Sequence, residues 1–212
     1  AGEKGVRLMR KRFWIVGFCL FVLLAAAALS IMVGSFAISP SDVLRTLLGG
    51  GSSTHAFAVF QIRLPRIVLA ILVGSALGVS GAILQGITKN PLAEPGMIGI
   101  NAGSALFVVL WISYGANAYY SSLSNVKVLF MPLLAIAGAF CTTAFLYAYS
   151  WRKGIRPIRF LLTGVGVNAG ITAVISFYQL QMSRGDYNQV LMWTNGSLWG
   201  SSWRYILVSA PL

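Results

Sequence analysis

Two arginines that precede the second long apolar stretch have the side chains best suited to binding. Arg63 and Arg66 are three positions apart, so on a helix both guanidinium groups can face the same partner. One interpretation is that their alkyl stems lie along apolar surface while the charged groups reach lipid phosphates. The other is that both arginines bind one partner molecule. The spacing alone leaves the two interpretations open.

The few polar side chains inside the apolar stretches are the next candidates. Four of them stand out: Gln85, Asn101, Thr163 and Asn168. Each could hydrogen-bond a neighbouring helix or contact a transported molecule, and both roles stay open. No Asp, Glu, Lys or Arg lies near the middle of any apolar stretch. Carriers driven by protons or sodium usually need an ionisable group or a broken helix there, so the pattern argues against that class.

The sequence lacks the groups of residues that catalysis or metal binding would need. His55, the single histidine, lies in a Gly/Ser-rich loop without neighbouring ligands. Cys19 and Cys141 lie inside apolar runs, as small buried hydrophobic residues do. The sequence has no Gly-x-x-x-x-Gly-Lys-Ser/Thr motif that could bind nucleotide phosphates. We therefore predict no catalytic residue, no metal site and no cofactor, which argues against a membrane-embedded enzyme.

Composition predicts that lipid solvates the elements that carry these residues. Hydrophobic residues make up 57% of the 212 residues, charged residues make up 9%, and the mean hydropathy is +0.78. A soluble domain has roughly a quarter of its residues charged, and a chain of this length cannot bury so much apolar surface. The net charge of +12 lies in clusters between apolar runs, which argues against nucleic acid as a partner. The predicted fold class is an all-α, polytopic transmembrane helical bundle with membrane lipid around it.

The lengths of the apolar stretches predict the membrane spans, because a spanning helix needs about 20 mostly apolar residues. Five spans and the start of a sixth fit a single domain over residues 1–212: 13–33, 67–87, 97–114, 129–150, 160–180 and 205–212. The first span is longer than the apolar core of a cleaved signal peptide, so we expect it to be retained. The sixth is still apolar at Leu212, which predicts that the sequence is the N-terminal part of a longer protein.

Basic residues predict the orientation of the spans. Two dense clusters, Lys4–Arg12 and Arg152–Arg159, fall on the same side when successive spans alternate across the membrane. Cytoplasmic loops are enriched in Lys and Arg, so we expect a cytoplasmic N-terminus. Arg63 and Arg66 then emerge on the external side.

Small residues predict where helices approach one another closely. In the second span they recur every four residues, which places one smooth groove along the helix: Gly74, Gly78, Ala82 and Gly86. Close backbone contact of this kind drives helix association in lipid, so we expect the second span at the centre of the bundle.

Two loops carry signals of their own. Ser39, Pro40 and Asp42 supply an N-cap, a proline at the first helical position and an acid in the first turn, which predict a short helix through Leu48. Between residues 183 and 203, three tryptophans are typical of a segment at the membrane–water interface.

The stretch 61–103 carries a resemblance to a known family. It contains Arg63-Leu64-Pro65-Arg66, then the small-residue face from Gly74 to Gln85, then the turn Asn90-Pro91-Leu92-Ala93-Glu94-Pro95-Gly96. These pieces resemble, in the same order, the permease subunits of type II ABC importers. That family, FecCD-like, serves iron-siderophores, haem and cobalamin.

The resemblance implies partners and roles for particular residues. It implies a ten-helix subunit in a bacterial cell membrane, paired with an identical or homologous permease subunit and seated on cytoplasmic ATPase subunits. It also implies an extracytoplasmic solute-binding protein, with Arg63 and Arg66 as its contacts. Two further sets follow from the family pattern: the translocation path at Gln85, Thr163 and Asn168, and the ATPase-side turn at Arg152, Lys153 and Arg156. An iron-siderophore is the expected cargo, and an ion- or proton-coupled secondary transporter is the alternative.

Overall fold

The computed structural model describes residues 2–34, 36–119, 125–151, 154 and 156–210. Every regular element within these ranges is helical. The helices are α1 (Gly2–Met32), α2 (Pro40–Leu47), α3 (Ser53–Phe57), α4 (Leu64–Thr88), α5 (Ile100–Tyr119), α6 (Asn125–Ser150), α7 (Pro157–Gln181), α8 (Arg184–Asn195) and α9 (Trp203–Ser209). A π-helical turn, Ala58–Arg63, joins α3 to α4, and a 3₁₀ turn, Pro95–Ile98, precedes α5.

Four described helical runs are long and apolar enough to cross a membrane: Met9–Met32, Ser53–Thr88, Phe130–Ser150 and Pro157–Gln181. A shorter apolar helix is described over Ile100–Tyr114. The fold class predicted from composition, an all-α bundle of membrane-spanning helices, is confirmed. Of the predicted sixth stretch, 205–212, residues 205–209 belong to α9, and residues 211 and 212 lie outside the described part of the chain.

The third apolar helix begins later than the sequence suggested. Its span was expected from Met97, whereas α5 begins at Ile100. Pro95 opens the 3₁₀ turn, and Gly99 ends it with φ +83°, a left-handed conformation that glycine adopts without steric penalty. Hydropathy carries no information about such a backbone change, because the residues on both sides of it are apolar.

A proline explains the π-helical turn before α4. Pro65 lacks an amide hydrogen, so it cannot bond to the carbonyl four residues earlier. Leu64, which lies between the turn Ala58–Arg63 and Pro65, donates its N–H to the Val59 carbonyl, five residues back rather than four. The Phe60 carbonyl, which would accept that bond in a regular α-helix, is therefore available to another donor.

The chain divides into two compact units, residues 1–73 with 198–212, and residues 74–197. In the first unit, Ser39 caps α2 by accepting the Asp42 amide at 3.2 Å, as predicted, and the helix ends at Leu47. A small core in this unit includes residues of α2 and the π-helical turn. Its buried residues are Ile38, Val43, Ala58 and Val59, and Ile31, Met32 and Leu64 pack against them.

In the second unit, α5 packs against α6, α7 and α8. The main core lies among these helices: Val108, Val109, Ile112, Met131, Ile175 and Val190. The backbones of α5 and α6 approach each other at Gly103 and Gly138. A β-carbon added at Gly138 would lie 3.0 Å from the Gly103 carbonyl carbon. Within this unit α5 therefore occupies the central position.

The small-residue groove of α4 is open in the described structure. A β-carbon added at Gly74, Gly78 or Gly86 would meet no described atom within 4 Å, and Ala82 is exposed. The packing role of this groove stays a prediction.

Candidate functional site

Arg63 lies at the end of the π-helical turn with its side chain directed into the first unit. Only 6% of the residue is exposed. Its guanidinium donates to the backbone carbonyls of Ile31 and Phe36, the latter at 2.6 Å, and lies over the Phe36 ring at 5.2 Å. A β-carbon at Gly34 would lie 2.8 Å from the Arg63 Nη2 atom, so Gly34 leaves the space that this group fills.

These contacts give Arg63 a structural role at the end of α1. The last carbonyls of a helix have no partner within the helix and carry partial negative charge, so a buried cation there is favourable. The planar guanidinium bonds two carbonyls at once, which a lysine ammonium with its different geometry does less well. Through these hydrogen bonds the side chain links the end of α1 to the start of α4.

Arg66 lies three residues further on and differs from Arg63 in its surroundings. It is half-buried, its Nη2 atom lies 3.4 Å from the Trp199 carbonyl, and its guanidinium lies 5.3 Å from the centre of the Trp199 ring. The Nε atom is buried and has no hydrogen-bond partner among the described residues. A carbonyl contact does not neutralise the charge, so Arg66 keeps a charge that an acidic group could bind.

The two arginines therefore have different partners, although their spacing allowed a common one. Arg63 contacts the carboxyl end of α1, and Arg66 contacts the segment before α9. Sequence reasoning missed Gly34 and Phe36 as partners of Arg63, and it did not connect Trp199 with Arg66. Residues 66 and 199 are 133 positions apart, and no local pattern connects them.

A second tryptophan anchors the segment that carries Trp199. The Trp203 indole N–H donates to the Phe60 carbonyl at 2.8 Å. This is the carbonyl that the π-helical turn leaves without its α-helical donor. The shift in backbone hydrogen bonding before Pro65 thus provides the acceptor for Trp203.

The turn between α4 and α5 is fixed by its own side chains. Lys89 takes φ +50°, and the Leu92 amide donates to the Asn90 Oδ1 atom at 3.0 Å, which closes the chain reversal. Gln85, a predicted path residue, has its amide nitrogen 3.5 Å from the Ala93 carbonyl and so lies against the turn. The turn expected over Asn90–Gly96 is confirmed in this geometry.

The other predicted path residues lie on α7, where it packs against the end of that turn. Asn168 is half-buried, and its backbone nitrogen and Cα lie 3.0 Å from a β-carbon placed on Gly99. Gly164 makes a similar approach to Ile98. Thr163 is half-buried on the same helix. The structure thus brings Asn168 to the turn that Gln85 also contacts.

Of the predicted ATPase-side residues, only Arg156 can be placed. It is exposed and immediately precedes α7, and its carbonyl accepts the Phe160 amide at 3.0 Å. Arg152 and Lys153 lie outside the described residues.

Replacing Gly99 with alanine should destabilise the junction between the turn and α7. The substitution forces an L-residue into φ +83° and places a methyl group 3.0 Å from the backbone of Asn168. Left-handed strain and overpacking of this kind together cost about 2 kcal/mol. Thermal unfolding of the full-length protein in detergent measures the loss, with Gly96→Ala as control because its nearest neighbour is the flexible Glu94 carboxylate. Equal melting temperatures for the two variants would contradict the expectation.

Comparison with known proteins identifies the family. The family described as the FecCD transport family matches residues 22–212. The chain is 42% identical over 183 residues to the iron(3+)-hydroxamate import system permease protein FhuG of Bacillus subtilis (strain 168), covering 86% of this chain and 54% of that protein. It is 34% identical over 198 residues to the Fe(3+) dicitrate transport system permease protein FecD of Escherichia coli (strain K12), covering 93% of this chain and 58% of that protein.

A solved structure of a transporter has a similar fold. The structure titled "An inward-facing conformation of a putative metal-chelate type ABC transporter" superposes with a TM-score of 0.72 at 27% identity, covering 91% of this chain and 56% of that one. The chain thus spans somewhat over half the length of the relatives that it matches. It is a multi-pass membrane protein, and it belongs to the FecCD transport family.

Proposed function

We propose that this chain forms part of the permease subunit of an ABC importer that moves an iron chelate of the siderophore type across a bacterial cell membrane. The observation that carries the proposal is the match to the FecCD transport family over residues 22–212. It is accompanied by four helical runs, within the described part of the chain, that are long and apolar enough to span a membrane. The names of these relatives support the cargo class, since they include an iron(3+)-hydroxamate and an Fe(3+) dicitrate transport system.

The chain is proposed to work with protein partners rather than by chemistry of its own. ATP hydrolysis is assigned to separate cytoplasmic ATPase subunits, because no phosphate-binding loop occurs in the sequence. A second permease subunit, identical or homologous, completes the passage. An extracytoplasmic solute-binding protein delivers the chelate. Gln85, Thr163 and Asn168 are proposed to lie along the path, and Arg152, Lys153 and Arg156 to face the ATPases.

The proposed docking contact for the solute-binding protein is Arg66. It is half-buried, and its contact with the Trp199 carbonyl leaves its positive charge available. Arg63 was the other expected contact, but its guanidinium is occupied by two backbone carbonyls and the residue is 6% exposed. We therefore assign Arg63 to holding the docking surface in shape rather than to touching the partner.

Transport by the reconstituted assembly tests the function. The full-length permease, its partner subunit and its ATPases are placed in proteoliposomes with the solute-binding protein and a ferric hydroxamate. Uptake should require ATP and stop when the catalytic glutamate of the ATPases is replaced. Uptake that continues without hydrolysis, or that follows an imposed proton gradient, would support the secondary-transporter alternative.

Cysteine labelling tests the proposed orientation. In a background with Cys19 and Cys141 replaced by serine, single substitutions Leu48→Cys and Leu92→Cys introduce reporters at side chains that are 86% and 82% exposed. The positive-inside pattern puts residue 48 outside and residue 92 in the cytoplasm. A membrane-impermeant maleimide should label position 48 in intact spheroplasts and position 92 only after permeabilisation. The reverse pattern would invert the topology and remove Arg66 from the external surface.

A further inference from the structure

The guanidinium of Arg66 is held at two points by a single residue. The Trp199 carbonyl lies 3.4 Å from Nη2, and the Trp199 ring lies 5.3 Å from the guanidinium carbon. A cation within about 6 Å of an indole centre is attracted by the negative face of the ring. Neither contact neutralises the charge, so the arrangement orients the cation without replacing the anion that it could bind.

The segment that carries Trp199 is anchored four residues further along the chain. Trp203 donates its indole N–H to the Phe60 carbonyl at 2.8 Å, and that carbonyl is available because Leu64 bonds to Val59 in the π-helical turn. Trp199 is 80% exposed and Arg66 is half-buried, so the pair lies at the surface of the first unit. The segment 199–203 is thus tied to the same helix start that carries Arg66, at two separate points.

We propose that Trp199 is a positioning residue that holds the Arg66 guanidinium ready for an acidic group on the external solute-binding protein. The inference rests on the proposed function, in which that protein docks at Arg66. A free arginine side chain samples many rotamers, and fixing it before encounter removes part of the ordering entropy that binding would otherwise cost. The partner chemistry is a carboxylate, because a planar guanidinium pairs with it through two parallel hydrogen bonds.

Binding measurements on the full-length transporter test the proposal. The complex is placed in nanodiscs of zwitterionic lipid, and the affinity of its purified solute-binding protein is measured for the wild type and for Arg66→Ala, Trp199→Ala, Trp199→Phe and the Arg66→Ala/Trp199→Ala double variant. We expect Arg66→Ala to weaken binding about tenfold and Trp199→Ala about fivefold. Trp199→Phe should retain most of the affinity because an aromatic face remains. The double variant should bind no more weakly than Arg66→Ala alone.

The pattern across variants separates positioning from other roles. If Trp199 contacts the partner directly, the two single effects multiply in the double variant, and the proposal is wrong. Unchanged affinity in Trp199→Ala would also overturn it. The dependence of the association rate on ionic strength should decrease in Arg66→Ala and persist in Trp199→Ala, because only the first removes the charge. A purely structural role for Trp199 would instead lower the melting temperature in Trp199→Ala and Trp199→Phe alike.

Three further outcomes separate this proposal from the proposed function and from lipid binding. A wild-type complex that fails to bind its solute-binding protein contradicts the function itself. A wild-type complex that binds, with Arg66→Ala equal to it, contradicts only the docking role of Arg66 and the positioning role of Trp199. A loss in Arg66→Ala that appears only with anionic lipid in the nanodisc would assign Arg66 to lipid phosphates and overturn the inference.

Discussion

Replacing Gly138 with leucine should leave little folded protein, because the α5–α6 crossing has no space for a side chain. A β-carbon at Gly138 would lie 3.0 Å from both the Gly103 carbonyl carbon and the Phe107 Cδ2 atom, and closer still to the Gly103 oxygen. A leucine adds three more carbons at a contact between backbones, which cannot move aside as a side chain can. Overpacking costs about 1–3 kcal/mol where the structure adjusts, and more where it cannot. We expect Gly138→Leu to exceed that range.

The measurement is the amount of monodisperse full-length protein in detergent, followed by thermal unfolding of what remains. Gly17→Leu on α1 is the control, because a β-carbon there meets no described atom within 4 Å. It should behave like the wild type. A Gly138→Leu protein with normal yield and melting temperature would show that the two helices do not cross at these glycines.

A milder pair of substitutions tests the same contact from the other helix. A β-carbon at Gly103 would collide with the Thr142 side chain and lie 3.0 Å from the Gly138 oxygen. Gly103→Ala should therefore lower the melting temperature, and adding Thr142→Gly should restore part of the loss. No restoration would mean that the backbone contact with Gly138 dominates.

Arg63→Ala should strongly destabilise the first unit. It removes two charge-assisted hydrogen bonds, to the Ile31 and Phe36 carbonyls, from a residue that is 6% exposed. Hydrogen bonds to charged groups contribute about 1.5–3 kcal/mol each, and the carbonyls left behind lose a buried partner. We expect a loss of about 3–5 kcal/mol in the stability of this unit. Arg63→Lys should recover only part of it, because one ammonium group cannot reproduce the planar, two-point geometry.

Arg66→Ala is the matched control for Arg63→Ala. Its single carbonyl contact is long, at 3.4 Å, and the residue is half-buried, so its removal should leave the melting temperature almost unchanged. Resistance of the full-length protein to limited proteolysis, compared with binding of the solute-binding protein, separates the two roles. The assignment would be wrong if Arg63→Ala kept normal stability but lost binding, because Arg63 would then be the docking residue.

The sequence by itself determined the class of the protein and its local chain reversals. The free energy of transferring apolar residues into lipid depends on composition, so hydropathy alone predicted five spans and the start of a sixth. Four helical runs among the described residues are long and apolar enough to cross a membrane. Ser39 capping α2 and the Asn90–Gly96 turn depend on residues within a few positions of one another, where steric and hydrogen-bonding preferences act directly. The order of motifs in residues 61–103 was enough to indicate the family.

Only the tertiary structure decided which role each of the two arginines has, and which glycines lie at a close helix contact. Arg63 and Arg66 are the same amino acid at one helix start, yet Arg63 bonds the end of α1 and the segment after it, and Arg66 lies against Trp199. The glycine spacing of α4 predicted a close helix contact that stays a prediction, and the close approach within the second unit, at Gly103 and Gly138, had no such signal. The physical reason is that spacing along a helix fixes only which residues share a face. What covers that face depends on the path of segments up to 133 residues away.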